Sequence, residues 1–179
     1  MRVDRDPIVL RSATREDAVQ LNTWWNDGSV MAHAGFPNGL GESLERTQAL
    51  VAQNAESLSQ RCMIEIDGVA VGECSYRLRE NEAELGFKIC DPTYQNRGYG
   101  TRIIEMLIDF IFSDEAINQV AKIERVVLDT NLNNKRAQHV YEKIGFVQTG
   151  IRYHDWKDQL GRLQSSVDYT LTREAFYNR

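Results

Sequence analysis

Cysteine is scarce in this chain: Cys62, Cys74 and Cys90 are spread through 179 residues. Their odd number excludes a fully paired disulfide framework. No C-x-x-C occurs, and His33, His139 and His154 do not cluster with the thiols, so a zinc site is excluded as well. The thiols read as reduced, as in a cytoplasmic protein. No apolar run approaches the ~20 residues of a membrane helix. The opening MRVDRDPIVL carries charge where a signal peptide would have its apolar core. Basic runs are missing too, and no strand alternates aromatic with basic residues, which disfavours a nucleic-acid partner. Repeats and low-complexity linkers are also absent.

What is present suits one globular domain over residues 1–179, with 42% hydrophobic and 26% charged residues. Residues 1–89 hold nine Lys/Arg against fourteen Asp/Glu, a net of −5, and residues 90–179 hold twelve of each. An acidic first half argues against a polyanionic partner and suits a cationic ligand. IVLR (8–11) reads as a strand. TRED (14–17) is close to a capping box and opens a helix running to Trp24 or Trp25. GFPNGLG (35–41) is a loop, and a second helix spans roughly Ser43–Leu58. Three strands follow at 62–66, 69–78 and 83–89, with Asp67-Gly68 as a hairpin turn. Ile103, Leu107 and Ile111 mark one face of a helix over 99–112. RVVLDT (125–130) is β-branched and strand-like. Ala137, Val140, Tyr141 and Ile144 fall on one face of a further helix, which Gly145 ends. Two last strands cover 146–156 and 163–172. One strand–helix–strand unit inside an otherwise meandering chain points to a mixed sheet.

DPTYQNRGYGTRIIEMLIDF (91–110) places Gly98 and Gly100 where its apolar helix begins. Helix-start amides lack internal partners and carry the positive end of the dipole, so a glycine-bearing start with Arg97 and Gln95 beside it suits a phosphate. The P-loop pattern G-x-x-x-x-G-K-[ST] is absent, and so is the dinucleotide pattern G-x-G-x-x-G. A plain helix start with two flexible glycines is the alternative.

Gln95-Asn96-Arg97-Gly98-Tyr99-Gly100 resembles the Q/R-x-x-G-x-G/A signature of the GNAT superfamily of acyl-CoA-dependent N-acetyltransferases. Asn134-Lys135-Arg136-Ala137, followed by Tyr141-Glu142-Lys143-Ile144-Gly145-Phe146, resembles that family's N-x-R-A…Y-E-K-x-G-F segment. The resemblance runs from Ile8 to about Thr172. It implies an α+β fold: a mixed, mostly antiparallel seven-stranded sheet, splayed centrally between strands 83–89 and 125–130 and flanked by about four helices. Acetyl-CoA would sit in the splay. Its pyrophosphate would rest on the amides of Asn96, Arg97, Gly98, Tyr99, Gly100 and Thr101, and its pantetheine arm would pair with the backbone of Lys88, Ile89 and Cys90.

The implied reaction is acetyl transfer to a primary amine by direct attack, with no metal. Tyr141 takes the place of the family's proton donor to the departing thiolate; its alternative is a core residue. Glu84 takes the place of the glutamate base of histone-type members, with Glu82 as the fallback; its alternative is an ion pair with Arg77 or Arg79. Asn134 corresponds to the cofactor-side asparagine and is equally a helix N-cap, and Asn131 and Asn133 compete for both roles. The oxyanion donor is the amide of Ile89 or Cys90. The family's acceptor wall maps onto Trp24, Trp25, Asp27, His33 and Phe36, where aromatics with a carboxylate suit a cation. The acceptor is a protein N-terminus or a small amine of polyamine or aminoglycoside type, with no nucleic acid and no membrane, and the family's habit leans towards a homodimer. An acyl-CoA-binding regulatory domain without turnover is the alternative.

Overall fold

The structure, a computed structural model, describes residues 1–53 and 58–179. The chain opens with β1 (Arg2–Arg5) and β2 (Ile8–Ser12), which pair antiparallel. A capping box at Thr14–Asp17 then leads into α1 (Ala18–Asn26) and the short α2 (Gly28–Met31). Helix α3 (Leu44–Ala52) is capped by Ser43, whose hydroxyl accepts from Arg46 N. The antiparallel meander follows as β3 (Ser59–Ile66), β4 (Val69–Arg79) and β5 (Glu82–Ile89). Asp67 and Gly68 both take positive φ, 52° and 76°, the two-residue turn whose twist matches its strands. Helices α4 (Tyr99–Ser113) and α5 (Glu115–Val120) cross to β6 (Arg125–Asn131). Helix α6 (Lys135–Ile144) ends at Gly145 with φ 102°, and the chain closes with β7 (Val147–Lys157), β8 (Leu163–Thr172) and α7 (Arg173–Tyr177).

All eight strands form one sheet in the order β1-β2-β3-β4-β5-β6-β8-β7, and β5–β6 is its parallel pair. That pair joins only Glu82 to Arg125, Ala83 to Val126 and Glu84 to Val127. Beyond these residues β5 runs on to Ile89 and β6 to Asn131 without pairing, so the sheet splays where the resemblance places the splay.

Two cores lie on opposite faces. On one, Ile103, Ile104, Leu107, Ile108 and Ile111 of α4 pack with Ile8, Leu10, Ile64 and Leu85 of the sheet and with Tyr141 and Ile144 of α6. Each such buried aliphatic side chain contributes about 1.5–3 kcal/mol. On the other, Leu21, Trp24 and Trp25 of α1 pack with Met31, Val51, Met63 and Cys90.

Three details differ from the sequence expectation. The eighth strand is β1, a four-residue charged edge with no apolar alternation to mark it. Of the seven α-helices among the described residues, four have nine residues or more; α2, α5 and α7 are too short to show a period. Helix α3 ends at Ala52, and the rest of the expected helix up to Leu58 falls mainly on residues outside the described ones. Cys62, Cys74 and Cys90 are free thiols, and Cys62 and Cys74 stand opposite each other on β3 and β4.

Candidate functional site

The divergence of β5 and β6 opens a cleft of about 1520 Å³, larger than most small-molecule sites. Its lining includes Glu84–Cys90 on β5 and just beyond it, Asp129–Asn131 on β6, Asn134 and Tyr141 around α6, and parts of the 92–101 loop. The second side is roofed by α2, the His33 turn and Leu50 of α3.

The loop before α4 is built to present amides. Asp91 starts it by accepting from Thr93 N at 2.8 Å. Asn96 (φ 59°) and Gly98 (φ 80°) are left-handed, and Gly98 stands at the α4 N-cap with no side chain to satisfy the first turn. Gln95 locks the loop in place: its Nε2 donates to Ile89 O at 2.8 Å and its Oε1 accepts from Arg136 at 3.0 Å. Gln95, Asn96, Gly98, Gly100 and Thr101 all line the cleft. Arg97 and Tyr99 do not. The Arg97 guanidinium lies 5.9 Å over the Tyr94 ring, and Tyr99 packs beside the same ring. The positive side chain at this end of the cleft is Arg136, which the motif contains but whose placement only the fold reveals.

Lys88, Ile89 and Cys90 line the cleft. The Cys90 amide donates to Val71 O at 2.8 Å, so it is engaged by the sheet and unavailable as an oxyanion donor. Strand alternation turns the Ile89 amide and carbonyl the other way, towards the gap, where Gln95 meets the carbonyl. Burial pushes the Cys90 thiol up to about 12, which keeps it a protonated packing group.

Tyr141 is 5% exposed, edge-on to Phe87 at 5.8 Å and to Tyr169 at 5.5 Å. Burial first, and the Asp129 charge second, hold its phenol well above the ordinary value, while a hydrogen bond from Thr130 works the other way. Thr130 Oγ1 in turn accepts from Asn134 Nδ2 at 3.2 Å. Asn134 also caps α6 by accepting from Ala137 N at 3.3 Å, so cap and cleft lining coincide in one residue. Asn131 lines the cleft nearby, its Oδ1 accepting from Asn133 N.

Glu84 lines the cleft with its side chain 45% exposed, and Arg79 stands 2.7 Å from Oε2. That contact is a charge pair and not an aligned hydrogen bond, so the shielded oxygen lacks a hydrogen-bond partner among the described residues. Glu82 is held by Arg125 on β6.

Of the residues the resemblance maps onto an acceptor wall, His33 lines the cleft; Trp24, Trp25, Asp27 and Phe36 do not. Trp24 and Trp25 are core residues, 8% and 4% exposed, and the Trp25 indole donates to buried Glu73 at 2.9 Å. Asp27 caps α2 by accepting from Ser29 N. Phe36 lies on a loop tied to the β7–β8 hairpin: Gln159 N donates to Gly35 O at 2.7 Å and Gln159 Nε2 to Gly39 O at 3.0 Å. The ring of Trp156 fills the space a Cβ on Gly35 would need, approaching it to 2.4 Å. Residues the sequence reading passed over take these places: Arg61, Ser75 and Arg77 from the meander, and Asp129 and Arg152 from β6 and β7. Their signal was strand alternation, which puts Arg61, Ser75 and Arg77 on the face that bears the cleft. Among the described residues, no three His, Cys, Asp or Glu side chains are grouped as a metal site, and no helix is long and apolar enough to cross a membrane.

Comparison with known proteins agrees with this geometry. A family model described as an acetyltransferase (GNAT) domain matches residues 8–147. A spermidine N(1)-acetyltransferase of Escherichia coli K12 is 25% identical over 154 residues, 83% of this chain and 77% of that protein. The crystal structure of a spermidine N-acetyltransferase from Vibrio cholerae, in complex with CoA and spermine, superposes with a TM-score of 0.84 at 20% identity, covering 97% of this chain and all (100%) of that one. RimL, a ribosomal L7/L12 alpha-N-protein acetyltransferase in complex with coenzyme A, superposes at 0.83 with 16% identity over 98% of this chain and 99% of its own. With the family match spanning well over half of its length, the chain belongs to the GNAT family of acetyltransferases.

Proposed function

We propose that this protein transfers an acetyl group from acetyl-CoA to a primary amine by direct attack within a ternary complex. The observation that carries the reading is the early end of β5–β6 pairing at Glu84 and Val127, with the Tyr141 phenol and the left-handed 96–98 loop on the borders of the gap so formed. The amides at the start of α4, with Arg136, would hold the diphosphate, and the backbone of Ile89 would pair with the amide-bearing arm. Acetyl-CoA supplies the acetyl group as a thioester. Glu84, which lines the cleft and is ion-paired with Arg79, takes the proton from the ammonium, directly or through one water. The freed amine then forms the new N–C bond as the C–S bond breaks. The Ile89 amide faces the charge that develops on the carbonyl oxygen. Tyr141, whose raised phenol remains protonated at neutral pH, gives its proton to the departing sulfur and regains one from the acetylated nitrogen as that sheds its second proton.

The test is thiol release from acetyl-CoA across polyamines, aminoglycosides, free amino acids and peptides with free N-termini, with products read by mass. One acetyl group added to an amine is the expected product. Acetyl-CoA that binds without thiol release across the whole panel overturns the reading.

A further inference from the structure

The acceptor side of the cleft is electrically two-ended. Cross-strand register sets Arg61 beside Ser75 and Gly86, Arg77 beside Glu84, and Glu73 beside Lys88. Glu73 is 6% exposed and anchors two cations: Arg61 pairs with its carboxylate while lying 4.7 Å over the Trp25 ring, and Lys88 Nζ stands 3.7 Å away. Arg77 meets the Ser59 hydroxyl at 3.3 Å and makes no ion pair among the described residues. Glu84, the acid beside it, is matched by Arg79. Among the described residues, the β3–β5 end of the cleft therefore carries more fixed positive than negative charge. The β6–β8 end is the reverse. There one guanidinium, Arg152, holds Asp129 at 2.6 Å, Asp168 at 2.9 Å and Asp155 at 3.3 Å. The reacting position, next to Tyr141, lies on the negative side, since Asp129 is close enough to act on the phenol.

We propose that the acceptor is a primary amine that also carries a carboxylate. The ammonium is drawn between Glu84 and Asp129, which line the gap from β5 and β6, and the carboxylate to Arg77, Arg61 and Lys88. Two sources share this chemistry: a free amino acid, and a peptide whose first residue is acidic. Gly86, without a side chain between Arg61 and the gap, leaves the path between the two ends open. A polyamine would direct its distal ammonium at three cations, a like-charge arrangement that opposes binding. The inference rests on the acetyl-transfer reading for its reaction but not for its charge pattern.

The experiment has two arms. In the first, kcat/KM is measured for glutamate, glutamine, peptides beginning with Glu or Gln, and spermidine. The carboxylate-bearing amine of each pair exceeds its amide by about tenfold or more, and whichever pair shows it identifies the source. Arg77→Ala brings the ratio within about twofold, and Arg77→Glu inverts it. Faster turnover of spermidine or the amides overturns the inference and leaves acetyl transfer standing. The second arm needs no turnover: calorimetric binding of N-acetylglutamate against N-acetylglutamine to the wild type and to Arg77→Ala. Selective binding that Arg77→Ala abolishes supports the carboxylate site even if the first arm shows no thiol release; equal binding of both overturns it.

Discussion

Replacing Gly98 by alanine separates what the α4 loop does for folding from what it does for binding. Gly98 has φ 80°, and a Cβ built there meets nothing within 4 Å, so crowding inside the protein is not the issue. The remaining penalty is that of an L-residue in the left-handed region, about 1–2 kcal/mol. For a chain of this length that lowers Tm by roughly 2–8 °C. The open space above the residue is where the diphosphate would rest, so the added methyl should raise the acetyl-CoA Kd by about tenfold or more, some 1.4 kcal/mol. Gly100→Ala is the control. Gly100 is helical, its Cβ also meets nothing within 4 Å, and the signature admits alanine at that position. Alanine is favoured over glycine in a helix by up to about 1 kcal/mol, so this variant should hold or raise Tm and keep acetyl-CoA affinity within about threefold. Thermal unfolding and isothermal titration with acetyl-CoA read both quantities. If Gly98→Ala loses the expected stability yet binds acetyl-CoA as the wild type does, the loop is a chain reversal and not a phosphate cradle.

Three further outcomes follow from the geometry. Tyr141→Phe keeps the edge-on packing against Phe87 and Tyr169, so acetyl-CoA affinity should hold while kcat falls by about tenfold or more; steady-state kinetics with unchanged kcat would remove the phenol from the reaction. Glu84→Gln should abolish the acidic limb of the pH dependence of kcat/KM, and a limb that persists would assign the base elsewhere. Asp17 offers a stability test. Burial alone would raise its carboxyl, but hydrogen bonds from Arg11 and Thr14 outweigh burial and hold it below the ordinary value. A depressed folded pKa gives a contribution that is complete above the unfolded value near 3.9 and lost as pH falls through the lower folded one. Urea unfolding between about pH 2 and 5 should therefore show a shallower loss of stability in Asp17→Asn than in the wild type, and identical slopes would refute the role given to the Arg11 pair.

Most of the sheet could be read from the sequence because its strands announce themselves by alternation and by turns. Asp67-Gly68 fixed one hairpin, and Gly145 ended α6 with the left-handed conformation expected of it. The half of the cleft bordered by the 92–101 loop and α6 was legible for a related reason: it is made by one contiguous loop and one helix face, so Gln95, Gly98, Asn134 and Tyr141 carry their geometry in their spacing. The acceptor half is assembled from six elements distant in the chain, and spacing says nothing of their meeting. Trp24 and Trp25 illustrate the difficulty. Two aromatics beside Asp27 look like a cation site, yet a nine-residue helix can turn only part of its surface to the cleft, and here the indoles face the core and Glu73. Arg152 is the converse, an ordinary strand arginine until the fold brings three aspartates round it.

An open sheet normally has two edges, and each is a template on which another chain can add a strand. Here the outer edges are blunted. Strand β1 has four residues, three of them charged, and β7 is broken by irregular register around Gly150 and by the left-handed His154. The splay creates two more edges, along Leu85–Ile89 and Leu128–Asn131, and turns them to face each other inside the molecule. Strand pairing strong enough to invite aggregation is thus kept, but confined to a slot flanked by α4 and α6 on one side and α2 on the other, out of reach of a neighbouring protein's sheet.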